Sequence, residues 1–180
     1  MIEVLEIGDP RLRRVCEPVT RFEDPLFKEE CKRLHEALRE FRKAHGFGRA
    51  IAAPQINIPK RLIAANLGNG PFTLVNPEIT WRSTRTHTLW DDCMSFPMLL
   101  VRVQRHASIS LRFWDETGKC QEWEKLPADQ SELFQHEIDH LDGVLATDLA
   151  LDRDAIVART VFERDVAFFR NQVSYGPPPN

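Results

Sequence analysis

Gln135-His136-Glu137-Ile138-Asp139-His140, running on into Leu141-Asp142-Gly143, is the stretch around which the rest of the chain is arranged. Pro127-Ala128-Asp129-Gln130-Ser131-Glu132 precedes it with a helix start signal, acids lying near the positive end of the dipole, and Gly143 stands where a helix would stop. On the helix so predicted, His136 and His140 are four residues apart. Both imidazoles then lie on one face and can bind a single cation, with Glu137 in reach of a water beside it. The competing reading is two histidines on a solvated face with ordinary acids between them. A catalytic divalent ion usually takes three protein ligands and keeps a position for water, so a third ligand has to come from elsewhere in the chain.

With 180 residues, 42% of them hydrophobic, the chain can bury a core of its own. One domain over 1–175 is the expectation, with a disordered tail at 176–180 (GPPPN). A net charge of −3 gives no electrostatic reason to expect nucleic acid or an anionic membrane as a ligand. No run approaches the roughly 18 apolar residues of a spanning helix. Met1-Ile2-Glu3-Val4-Leu5-Glu6 lacks the basic start and apolar centre of a secretion signal. A cytoplasmic protein of bacterial type is therefore expected, an organelle protein with its presequence removed being the other origin, and a monomer or weak dimer in either case. Cys16, Cys31, Cys93 and Cys120 form no close pair, as befits small buried hydrophobes, and only Cys93 has unusual neighbours.

In chain order, Leu5 to Val19 reads as an extended arm punctuated by Pro10 and Pro18. Asp24 caps a helix with Pro25 at its first position, Phe27, Cys31, Leu34, Leu38 and Phe41 forming its buried stripe, and Gly46 ending it. The small residues from Gly46 to Ala53 permit close backbone approach, and Gln55 offers an amide donor. Strands are expected at Arg61 to Leu67 and Pro71 to Thr80, with Trp81 to Leu89 a polar connection or a further strand. Val101 to Val103 and Ala107 to Trp114 also alternate in the strand period; Asp115 to Lys119 is a hairpin turn, and Cys120 to Leu126 returns. A last helix is expected from Asp152 to about Val173.

Gly48 to Gln55, Asp91-Asp92-Cys93-Met94-Ser95 and Gln135 to His140 resemble, in order and spacing, the three motifs of the peptide deformylases. The likeness extends to Asp9-Pro10-Arg11-Leu12-Arg13 and to the turn at Asp115 to Lys119, so it spans nearly the whole chain. It implies an α+β fold with antiparallel strands around a central metal-binding helix, one helix before them and one after. It also implies a divalent metal held by Cys93, His136 and His140, ferrous iron in cells, with Zn²⁺, Ni²⁺ or Co²⁺ suited to the same ligands. Glu137 is then the proton carrier, and the Gln55 side chain and the backbone N–H of Met94 are the donors to the formyl oxygen. The implied reaction releases formate from the N-terminal formyl-methionine of nascent peptides. The substrate is expected to lie extended against Gly48, Arg49, Ala50, Asp91 and Asp92, its first side chain near Glu132 and Leu133.

Three features depart from the family's pattern. Arg49-Ala50 replaces an apolar residue and a glycine, Asp91-Asp92 replaces glutamate-glycine, and Glu132 stands where the methionine pocket is usually apolar. Arg49 and Glu132 either pair with each other or select a polar substrate side chain. These departures leave two other readings open, a hydrolase of another N-formylated peptide or metabolite and an inactive metal- or peptide-binding homologue. Beyond Asp152, Arg153, Arg159, Arg164 and Arg170 are balanced by Asp152, Asp154, Glu163 and Asp165, which argues against ribosome docking through a basic helix.

Overall fold

The computed structural model describes residues 2–176. Helix α1 (Pro25–His45) begins where the Asp24 carboxylate accepts the Leu26 N–H at 2.9 Å, and ends at Gly46 in the left-handed region. Strands β1 (Ala50–Ala52), β2 (Leu62–Asn66), β3 (Pro71–Arg82), β6 (Ile109–Trp114) and β7 (Cys120–Trp123) form one antiparallel sheet in the order β1-β2-β3-β6-β7. Strand β4 (Thr86–Asp92), β5 (Leu99–His106) and β8 (Ile156–Ala158) form a second, in the order β4-β5-β8. The fold is α+β.

The larger sheet is covered on both faces, which is why β2 reads as a nearly unbroken apolar run. Leu62 and Ala64 pack with the apolar stripe of α1, while Ile63 and Ala65, pointing the other way, pack with Leu133, Phe134, Ile138 and Leu141 of helix α2 (Ala128–Leu141). So α2 lies in the interior, between the two sheets. Gln135 fixes it to β5 by pairing with the backbone of one residue of that strand, donating to His106 O and accepting from His106 N–H, both at 2.9 Å. After α2 the chain turns at Gly143, whose φ of 74° suits glycine and where a Cβ would meet Arg13 O at 2.5 Å.

The N-terminal arm, with a short turn at Pro10–Arg13, stitches the back of the cleft together: Leu5 N–H donates to Gln55 O and Ile7 N–H to Ser95 O.

The final helix expected from Asp152 to about Val173 is not formed. In its place Ile156 and Val157, β-branched residues, extend along β5 as β8, followed by α3 (Arg159–Phe162) and α4 (Val166–Arg170). The break between the short helices falls at Asp165, whose carboxylate caps α4 through Phe168 N–H at 3.0 Å. Strand β3 runs on through Arg82, so only a short turn separates it from β4. Of the tail expected to be disordered, all but Gly176 lies outside the described residues.

Candidate metal centre

Helix α2 brings His136 and His140 to one face, and the end of β4 brings Cys93 against them. Cys93 Sγ lies 3.2 Å from His140 Nε2, which is 3.2 Å from His136 Nε2. All three residues are buried. His136 Nδ1 donates to Asp91 Oδ2 at 3.0 Å, so its Nε2 carries a lone pair directed at the other two donor atoms. Three donor atoms this close in a dry site need a proton or a cation between them, and a site built of two imidazoles and a thiol on one point is the observation that fits the residues to a metal. Burial also pushes the Cys93 thiol above its ordinary range and His140 well below its own, so a thiolate forms there only with positive charge at hand. Two imidazoles and a thiolate suit a borderline divalent ion.

Asp91 does two things at once. Its Oδ2 accepts from His136 and, at 3.0 Å, from Nη2 of Arg105, a β5 residue buried beneath the site. The His136 N–H and the Arg105 guanidinium hold the Asp91 carboxyl far below the ordinary range, overcoming its burial. Arg105 in turn binds Asp139, which therefore braces the bracing arginine. Arg105 is absent from the sequence reading, although a trace was there: Val101, Val103 and Arg105 share one face of β5, and a cation in a buried row signals a buried partner.

Glu137 lies beside the histidines, with Oε2 buried and unpartnered, and burial pushes its carboxyl up to about 7. Gln55 is held at one end, where Ala52 N–H donates to Oε1 at 2.9 Å. Its Nε2 lies 3.1 Å from Ser95 Oγ and 3.6 Å from Cys93 Sγ. Gly48, at φ 116°, lets Met94 approach so closely that a Cβ would come within 2.4 Å of its terminal methyl.

One cavity collects Gly48, Arg49, Ala50, Gln55, Asp91, Asp92, Cys93, Met94, Glu132, Leu133, His136 and Glu137 along its walls, and His140 joins Cys93 and His136 in the candidate metal triad. Each charged departure has a partner. Arg49 binds the Glu132 carboxylate and, at 2.8 Å, Asp129 O. Asp92 binds Arg159 at 3.1 Å.

The sequence model of the polypeptide deformylase family matches residues 1–155. The chain belongs to that family. A peptide deformylase of Thermotoga neapolitana is 37% identical over 148 residues, 82% of this chain and 86% of its own. A Brucella melitensis protein described as peptide deformylase-like is 36% identical over 143 residues, 78% of this chain and 83% of its own. The crystal structure of the Thermotoga maritima deformylase superposes with a TM-score of 0.75 at 35% identity, covering 84% of this chain and 99% of that one.

Proposed function

We propose that this deformylase is a metal-dependent hydrolase that removes the formyl group from the N-terminal methionine of nascent peptides, releasing formate. The observation that carries it is the convergence of Cys93, His136 and His140 with Glu137 in one cavity.

A divalent ion held by Cys93, His136 and His140 supplies a Lewis acid that polarises a carbonyl and makes water acidic at neutral pH. The rest falls to the chain's own groups. Glu137 takes the proton of the attacking water on its free carboxylate oxygen and delivers it to the leaving amine nitrogen. Its carboxyl, held near neutrality by burial, can do both. A Gln55 Nε2 hydrogen and the Met94 N–H donate to the formyl oxygen as it gains negative charge. Asp91 keeps His136 in the tautomer that leaves Nε2 free. The products are formate and a free amino terminus.

The cleft lies between β1 and β4, each the edge strand of its sheet, so an extended peptide can pair with backbone on either side without regard to its sequence. That suits an enzyme acting on many nascent chains. Arg49 and Glu132 pair with each other, which supports a tolerated variation and weighs against a pocket awaiting a charged side chain. Asp91, shorter than the usual glutamate, still reaches both His136 and Arg105, which supports a working site over a silent one.

We assign ferrous iron as the ion in cells, with Zn²⁺, Ni²⁺ and Co²⁺ as substitutes, a cytoplasmic location, and a monomeric or weakly dimeric state. No helix among the described residues is long and apolar enough to cross a membrane. Among the described residues α3 and α4 are short and their arginines are balanced by nearby acids, which weighs against ribosome contact through a basic helix there. Complementation of a cell lacking its own deformylase tests the reading: growth with the wild-type chain and none with Glu137→Ala is expected. Equal growth with both would overturn it.

A further inference from the structure

The family match ends at residue 155, yet the chain beyond it returns to the catalytic cleft. Phe162, Arg170, Val173 and Tyr175 lie along the cavity wall. The segment is pinned at both ends. At its start, Arg159 donates from Nε to Pro97 O at 2.7 Å and from Nη2 to Asp92 at 3.1 Å, its guanidinium lying 4.6 Å from the centre of the Phe47 ring. At its end, Tyr175 stacks on His87 with ring centres 4.4 Å apart, and its N–H donates to Thr88 O at 3.0 Å. Ser174 completes the joint: its hydroxyl accepts the Thr88 N–H at 2.9 Å, and its own N–H donates to Thr88 Oγ1 at 3.0 Å. Between the ends, Trp90 Nε1–H donates to Phe169 O at 2.8 Å.

These bonds fix the direction of the β4 edge. Thr88 presents its backbone N–H and C=O away from β5, so by the two-residue period Trp90 and Asp92 do the same. Opposite Trp90, Arg102 confirms the phase by turning its own N–H outward to Ala155 O and its C=O to Leu151 N–H. Trp90 and Asp92 both line the cavity. The edge open to a substrate therefore begins beside Cys93 and ends at Thr88, where Ser174 and Tyr175 already occupy the next pairing position.

We propose that the segment from Arg159 to Gly176 is a built-in stop on the substrate-pairing edge of β4, limiting strand pairing to about the first four residues of the formylated peptide. The inference rests on the deformylase reading. Past the stop, a longer nascent chain must leave the edge and gains nothing more from it.

The test is kcat/KM for formate release from metal-loaded enzyme over a series from formyl-Met-Ala to a formyl hexapeptide. The wild type is expected to rise by about threefold for each added pairing residue up to the fourth and then stay level. Tyr175→Pro made together with Ser174→Ala, so that neither the N–H on Thr88 O nor the hydroxyl on Thr88 N–H remains, should match the wild type on formyl-Met-Ala and keep rising past the fourth residue. Equal rates on that shortest substrate show that the variant is folded. A wild type that continues to climb through the hexapeptide, or a folded double variant that levels off at the same length, overturns the stop. If the double variant does not fold, the wild-type profile alone decides. Failure of every peptide to release formate from protein with bound metal would overturn the deformylase reading itself, and the stop with it.

Discussion

Asp91 and His136 are joined by a 3.0 Å hydrogen bond, and the same carboxylate oxygen of Asp91 accepts from Arg105 at 3.0 Å. The residue before Asp92-Cys93 in the chain thus orients His136 on α2, tying the second motif to the third through a buried charge. Asp91→Ala should leave His136 free to turn and Arg105 held by Asp139 alone, lowering metal affinity by about 10–100-fold. Asp91→Glu should retain the affinity. Chelator competition measures both, and an Asp91→Ala protein that holds its metal as tightly as wild type would show that the bond is incidental.

Metal removal should also be felt by the fold. The ion binds the folded site alone, so at about a thousandfold excess over its dissociation constant it contributes about 4 kcal/mol. Chelation should then lower the melting temperature by on the order of 10 °C for a domain of this size. The Cys93→Ala protein should show little response to the same chelator. An equal fall in both would mean that the chelator acts elsewhere.

Arg49 and Glu132 predict a pattern across single and double variants. Glu132 is almost wholly buried, and burial pushes its carboxyl up to about 7 against the pull of Arg49. Arg49→Leu strands that carboxylate and should cost about 3–5 kcal/mol at about pH 8, while Arg49→Leu with Glu132→Leu should cost much less. The sign with pH follows from the raised value. Folded Glu132 holds its proton above the ordinary 4.5, so its contribution is intact below that value and is lost as pH rises through about 7 and, without Arg49, higher still. Denaturant midpoints of Arg49→Leu should therefore approach wild type toward about pH 5. A penalty that does not change with pH, or a double variant as unstable as the single, would contradict this account.

How far the sequence could be read depended on the range of the interactions involved. Helix α1 was legible to the residue, because Asp24, Pro25 and Gly46 are local signals and its apolar stripe is periodic. His136, Glu137 and His140 were legible for the same reason, all lying on one helix. Cys93 stood out among the cysteines by its neighbours, but no local pattern marked it as a ligand, and that role entered through the likeness to deformylases. Arg105 and Arg159 stayed hidden because their partners lie at long range, on α2 and β4, and no periodicity reports which charges will meet. The C-terminal helix was misread because the charges and apolar residues after Asp152 fit a helical pattern, whereas pairing on β5 and the cap at Asp165 govern what forms. Local propensity gave way to an edge that needed a strand.

The central claim is that Glu137 carries the proton in a metal-dependent release of formate, and one assay tests it most directly. Anaerobically prepared protein of known metal content is given formyl-Met-Ala-Ser, beside a Glu137→Gln variant loaded with the same metal. The account predicts rapid formate release by the wild type and a loss of about 10²–10⁴-fold or more in the variant, with metal binding retained. Equal rates from the two proteins, or no formate from a wild type with a full complement of metal, would contradict it.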